Sequence, residues 1–307
     1  MLGPVSEPTG PQRCSEAWSS DDLSAFGTAP SAEFWVALEQ PGPWGAKAAT
    51  QSRLDATLGA ELDRWCLDRG GRLALIRPSG GQRAAADRLP RRLLVAGGLT
   101  TSGWLGAIDL DDPADAPSVL AAVEPFLAGT GVPAPLSESP SVIAVCTNAK
   151  RDQCCARLGL PLAADLSAAL PGRVWEASHL GGHRFASTAI VWPTGQMLGR
   201  LDSAVAAEAL AASDDGLLWP GGDRHDRGRT AIGPAANVAE AHVRAQIGAH
   251  RVGDLTTTVT DDIATVTHHD GRTWRLRVTR ESVGQRIESC LKLPVEAHVW
   301  RVTDVTG

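Results

Sequence analysis

No run in this sequence approaches the roughly 18 consecutive apolar residues that a bilayer-crossing helix requires. The opening stretch, "MLGPVSEPTGPQRCSEAW", has no apolar core of a secretory signal. Neither membrane insertion nor export is expected, and the expected compartment is the cytoplasm. A Cys-x-x-Cys pair, the usual tool of thiol–disulfide exchange, is also missing. So is any glycine-rich loop of the G-x-G-x-x-G or P-loop type, so no flavin or nicotinamide site is expected within the chain. Lysine is scarce, three residues against 26 arginines, and the formal net charge is −6. Without a basic excess a broad nucleic-acid surface is not expected, which leaves proteins or small molecules as partners.

What is present is an ordinary globular composition. The chain has 307 residues, 43% of them hydrophobic, and a mean hydropathy of −0.09. That is enough for two cores and an appendage. The six cysteines are Cys14, Cys66, Cys146, Cys154, Cys155 and Cys290. Half of them fall in one loop, a poor disulfide framework but a good ligand arrangement for a reducing compartment. Cys14, Cys66 and Cys290 read as free thiols, Cys66 near the apolar face of a helix.

Residues 1–30, rich in Ser, Pro, Gly and Asp, read as an irregular lead-in. "EFWVALEQ" (33–40) reads as a buried strand. A helix from about Thr50, a good N-cap, carries Leu54, Leu58, Leu62 and Trp65 on one face and stops at Gly70-Gly71. Strands follow at 72–78, 91–98 and 103–110, then a short helix at 117–129. The order then recurs: a strand at 141–148 ending in Cys146, and a helix at 160–170 with Pro161 in its first turn. Strands at 173–179, 187–193 and 196–202 and a helix at 204–213 complete this half. Such an order suits an α/β, thioredoxin-like mixed sheet flanked by helices. The match of "SGGQR" (79–83) to "LGGHR" (180–184) points to a degenerate tandem pair, with Gln82 where the second half has His183. After a polar loop, "WPGGDRHDRGRT", come a helix at 234–247 and a small β appendage with a hairpin turn at Asp270-Gly271. The expected divisions are 1–135, 136–250 and 251–307.

Four or five potential metal ligands gather in "VCTNAKRDQCC" (145–155) and "SHLGGHRF" (178–185). Cys146 closes a strand, Cys154 and Cys155 precede a helix, His179 closes the next strand, and His183 lies one turn later. Gly181-Gly182 lets the backbone fold back so that both imidazoles can point at one centre. All lie on the sheet edge where α/β layers bind ligands. A bland reading makes the cysteines buried hydrophobes and the histidines loop residues. A structural Zn²⁺ site of the Cys₂His₂ kind is a second reading, although zinc cysteines usually stand two to four residues apart. A 2Fe–2S cluster, a larger object that takes ligands from wider-spaced loops and tolerates histidine, is the third.

The pattern "CTNAKRDQCC … HLGGHRFA … PTG … GRL" resembles the sucrase/ferredoxin-like family, which includes thioredoxin-like ferredoxins. "FGTAPSAEFWVALEQPGPWG" (26–45) and "RGRTAIGPAANVAEAHVR" (227–244) resemble it too, so the likeness runs to about residue 247. It implies a 2Fe–2S cluster held by two cysteines and two histidines in the order Cys, eight residues, Cys, then His, three residues, His. Carried over, Cys146 is the first ligand. Arg151-Asp152 matches the family's Arg-Asp pair, and Cys155, three positions after that aspartate, is the second ligand, with Cys154 as the alternative. His179 and His183 match the histidine pair. The resemblance implies a one-electron carrier rather than a catalyst, served by a redox partner protein. The other reading is a zinc-stabilised thioredoxin-like scaffold. Sucrose hydrolysis is not expected. It needs two carboxyl groups about 5 to 9.5 Å apart, and no pattern pairs an aspartate such as Asp202 with another.

Lesser features are Arg151, Asp152 and Arg184 beside the ligands, the charged loop 221–229, and His268-His269 at the hairpin turn. The two histidines are expected to be solvent-exposed, and the charged loop to be solvated.

Overall fold

The computed structural model describes residues 13–79, 89–290 and 292–306. "WVALE" forms β1 (Trp35–Glu39), whose first four residues are buried. A run apolar on both faces suits an interior strand covered from both sides. β1 pairs in parallel with β2 (Arg72–Pro78) and antiparallel with β3 (Arg91–Gly97). β3 pairs with β4 (Trp104–Leu110), and β4 with the short β5 (Ser137–Glu138). The second half repeats this pairing. β6 (Val142–Cys146), wholly buried, lies parallel to β7 (Val174–Ala177) and antiparallel to β8 (Ala189–Trp192). β8 pairs with β9 (Gln196–Leu198), and β9 with β10 (Asp226–Arg229).

Each half thus has the strand order fifth, fourth, third, first, second, its first four strands in the order of a thioredoxin-like layer. The halves join edge to edge through β2 and β7, giving one mixed ten-stranded sheet. At the seam Arg77 donates to the buried Glu176 at 2.7 Å, and Thr147 donates to the same carboxylate at 3.0 Å.

Alternation along the strands divides the core. Trp35, Ala37, Ile76, Leu94, Val142, Ala144, Cys146 and Trp192 from both halves share one face. Trp35 and Trp192 meet there at 5.9 Å. On the other face, helices α3 (Ala56–Asp68) and α4 (Ala116–Val123) cover Val36, Leu38, Leu75 and Val95. In the second half α5 (Gln153–Ala169) and α6 (Ser203–Asp214) cover Ile143, Val145 and Val191.

Several expectations need correction. The lead-in contains α1 (Cys14–Ser20), which buries Trp18. Thr50 lies inside the four-residue α2 (Ala48–Gln51), and the long helix is capped by Asp55, which accepts the N–H groups of Thr57 and Leu58. α5 starts at Gln153, capped by Asp152, so Pro161 sits inside the helix. Burial of Leu162, Ala163 and Leu166 outweighs the backbone bond that proline forgoes. The polar stretch after residue 216 forms α7 (Gly222–His225) and the edge strand β10, with Arg227 and Arg229 buried rather than solvated. Of the compared segments, residues 80–83, including Gln82, lie outside the described residues.

α8 (Pro234–Ile247) carries Val238, Ala239 and Val243, which pack on a separate four-stranded antiparallel sheet. Its strands are β11 (Leu255–Thr260), β12 (Ile263–His268), β13 (Thr273–Arg286) and β14 (Val295–Thr306). Beneath α8 the Glu240 carboxylate accepts from both Arg229 and Arg244, at 3.0 and 3.1 Å, all three side chains being buried. β13 and β14 run on as a long ribbon whose Val283 and Ala297 reach Trp18 and Phe185. The β appendage therefore closes over the second half of the main sheet. Among the described residues no helix is long and apolar enough to cross a membrane.

Candidate metal centres

β6 and β7 run parallel and end side by side, with Cys146 opposite Ala177. The chain leaving β6 turns through residues 147–152 into α5, and the chain leaving β7 turns through "SHLGGHRF". This brings Cys146, Cys155, His179 and His183 into a string of pairwise contacts. Cys155 Sγ lies 3.2 Å from His183 Nδ1. The His179 and His183 rings stack at 4.9 Å. A hydrogen bond from Cys155 holds the Cys146 thiol well below its ordinary range, aided by His179 and by the Leu180 N–H and opposed by burial. The Cys155 thiol is correspondingly raised. Burial, with His179 close by, lowers His183 to about 4, so its ring is neutral at pH 7. Both sulfurs are buried, whereas both imidazoles are half-buried. His179 and Arg151 line a cleft of about 670 Å³ against α2 and α3.

Two glycines make the arrangement possible. A Cβ on Gly159 of α5 would stand 2.3 Å from the Cys146 carbonyl oxygen, so only glycine lets the helix lie on this strand end. Gly182 has φ +74°, and a Cβ there would strike the Arg227 guanidinium at 2.5 Å. Arg227 is fully buried beneath the loop, donating to the carbonyls of Gly181 (3.1 Å) and Thr28 (2.6 Å). Burial lowers its pKa to about 9, and the nearby Cys146 and Cys155 act the other way.

Cys154, one residue earlier than Cys155, faces elsewhere. Its sulfur lies 3.6 Å from Cys14 Sγ and 3.3 Å from Cys290 Sγ, and those two are 3.6 Å apart. With Asp152 they form a group whose ligand atoms all fall within 4.8 Å of one another and could hold a metal ion. Hydrogen bonds from Cys14 and then Ser15 bring the Cys154 thiol down to about 5 against the effect of burial, while the Cys14 thiol is raised. Asp152 caps α5 through the Cys154 N–H and also accepts the Cys290 N–H at 2.8 Å, which keeps its carboxyl low despite burial.

This second group was not expected. Cys14 and Cys290 are free thiols, as expected, but they lie beside Cys154 rather than apart from it. No spacing could have revealed it, because its three cysteines are 136 to 276 residues apart. Cys66 is buried by itself on α3. Arg184 packs over the Trp18 and Phe185 rings and pairs with Glu288. His268, contrary to expectation, is buried, with Nδ1 2.8 Å from Asp270, and it joins Asp254 and His269 in a smaller potential ligand group. Asp202 caps α6 by accepting the Val205 N–H.

No curated protein and no solved structure matches this chain. The family model described as sucrase/ferredoxin-like matches residues 25–215, which include Cys146, Cys154, Cys155, His179 and His183 and leave out Cys14, Cys290 and the 227–244 segment. Covering more than half of the sequence, that match shows that the chain belongs to the sucrase/ferredoxin-like family.

Proposed function

We propose that this chain is a cytoplasmic electron-transfer protein whose 2Fe–2S cluster is held by Cys146, Cys155, His179 and His183. The observation that carries this reading is the string of contacts that links two thiols and two imidazoles at the paired ends of β6 and β7. The donor set fits the group. His179 Nδ1 is buried with no hydrogen-bond partner, as a nitrogen reserved for a metal would be. His183, neutral at pH 7, needs no deprotonation before it ligates.

When bound, such a cluster takes up and gives back one electron, at a potential above that of a four-cysteine ferredoxin because two neutral imidazoles replace two thiolates. The residues supply the rest. Buried Cys146 and Cys155 keep the sulfur side dry, and the half-buried histidines form the edge that a redox partner protein can approach. The ring nitrogen of each histidine that does not ligate would keep its N–H. A cluster there would hold that proton more tightly once reduced, so electron uptake would be linked to proton uptake.

Anaerobically purified protein should be brown, with visible absorption bands and about two irons per chain. Its potential should fall by about 59 mV per pH unit where one proton accompanies one electron. A potential that stays flat with pH defeats bis-histidine ligation. A colourless protein with zinc at these four residues replaces the electron carrier with a zinc-stabilised thioredoxin-like scaffold.

A further inference from the structure

We propose that Cys14, Cys154 and Cys290, with Asp152 as the fourth ligand, bind a single zinc ion that is separate from the iron site and clamps α1 and the connection from β13 to β14 onto the first turn of α5. The three sulfurs form a near-equilateral triangle with sides of 3.3, 3.6 and 3.6 Å. A tetrahedral zinc with Zn–S bonds of about 2.3 Å sets its sulfurs about 3.8 Å apart, so the triangle is one ion wide. A disulfide joins two sulfurs at about 2.0 Å and gives the third no reason to be there. A two-iron core spreads its ligands more widely.

The fourth position is supplied by the carboxylate. Asp152 Oδ1 accepts the Cys154 N–H at 2.9 Å and the Cys14 thiol at 3.8 Å, and a Cys14 thiolate bound to zinc would free the second of these positions for the ion. Oδ2 accepts from the Ser289 hydroxyl and the Cys290 N–H, at 3.0 and 2.8 Å. These bonds hold the carboxylate in place, as outer groups do around metal ligands. The Ser15 hydroxyl donates to Cys154 Sγ at 3.2 Å, a contact suited to a thiolate. Three thiolates and a carboxylate carry two charges more than zinc neutralises, and the Arg184 guanidinium acts on Cys14 from nearby. Leu158, Ala186 and Ile287 wall the site with apolar surface. Three soft sulfurs select zinc over magnesium or calcium, and four protein ligands leave no open position, which makes the site structural.

The ion would join α1, α5 and the connection from β13 to β14, three segments that meet here without a shared strand. Cys155 is the next residue after Cys154, so the clamp also fixes the turn that carries an iron-site cysteine.

Metal analysis of the full chain tests this. Wild type should contain one zinc per chain besides its iron. Cys14→Ser and Cys290→Ser should each lower zinc at least tenfold while the visible bands of the iron site persist. Zinc-free wild type from zinc-supplemented growth overturns the proposal, as does zinc unchanged in Cys290→Ser. A Cys154–Cys290 disulfide in unreduced protein, found by mass spectrometry, overturns it too. Should the serine variants not fold, Co²⁺ added to metal-stripped Cys155→Ala protein gives a second reading, since the iron site is broken there. Intense thiolate-to-cobalt bands with a tetrahedral visible spectrum are expected, and a weak octahedral spectrum defeats the site.

Discussion

The two halves of the ten-stranded sheet share their pairing and differ in what stands at the strand ends. β6 ends in Cys146 opposite Ala177, while β1 ends in Glu39 opposite Ile76. Glu39 spends its carboxylate on the backbone N–H of Arg92. After β6 the chain enters α5 within a few residues and presents Cys154 and Cys155 in the first turn. After β1 it wanders through a Pro/Gly stretch and α2 before α3 begins, with no cysteine on the way. The lesson is that the thioredoxin-like layer supplies an edge with two parallel strand ends, and chemistry enters only where those ends and the next loop carry donors.

The contrast breaks most visibly at the donors. Cys155→Ala should abolish the visible bands and cut iron at least tenfold, whereas Glu39→Gln, at the position matching Cys146, should leave iron at the wild-type level. Equal loss from both would mean that iron content reports folding rather than ligation.

Next in size is the seam. Glu176→Ala strands the Arg77 guanidinium, whose side chain is 19% exposed, and should cost about 3–5 kcal/mol in urea unfolding. The first half's own pair, Arg92 with Asp109, is 40% and 46% exposed, and Asp109→Ala should cost less than about 1 kcal/mol.

The outer edges differ as well. Burial pushes Asp226 of β10 up to about 6, against hydrogen bonds from Gly228 and Gln196. The folded chain then binds that proton more tightly than the unfolded one. Between about pH 4 and 6 its contribution to stability therefore falls as pH rises, and above that it levels off. Stability of wild type minus that of Asp226→Asn, followed by urea unfolding across this range, should show that slope, spanning no more than about 3 kcal/mol. At the other edge, β5 is exposed and offers no buried acid for the same experiment.

The smallest effects are steric. Gly159→Ala should cost about 1–3 kcal/mol and lower iron loading, because the new methyl meets the Cys146 carbonyl. Gly59→Ala in α3 meets the Ala49 carbonyl instead and should lower stability with iron per folded chain unchanged.

What could be read directly from the residues was whatever is local. β2 (Arg72–Pro78) and α8 (Pro234–Ile247) begin and end where their apolar runs and breakers place them. That Cys146, Cys155, His179 and His183 lie near one another was legible because all four stand at strand ends or one turn beyond. β10 was hidden, because arginines signal solvent until Arg227 and Arg229 are seen hydrogen-bonded to buried carbonyls. The start of α5 was hidden by Pro161, which drew attention away from the Asp152 cap. The triangle of Cys14, Cys154 and Cys290 was hidden by distance along the chain, which no periodicity records.

That triangle has a consequence for how the molecule comes into being. On a ribosome the chain emerges in order, and Cys146, Cys155, His179 and His183 are all out well before Cys290. The β6–β7 edge can therefore fold while the β13–β14 ribbon is still unmade. Closure over α1 must come last. Cys290 is the last of the three sulfurs to emerge, and a nascent chain stalled short of it would leave Cys14 and Cys154 without their third neighbour.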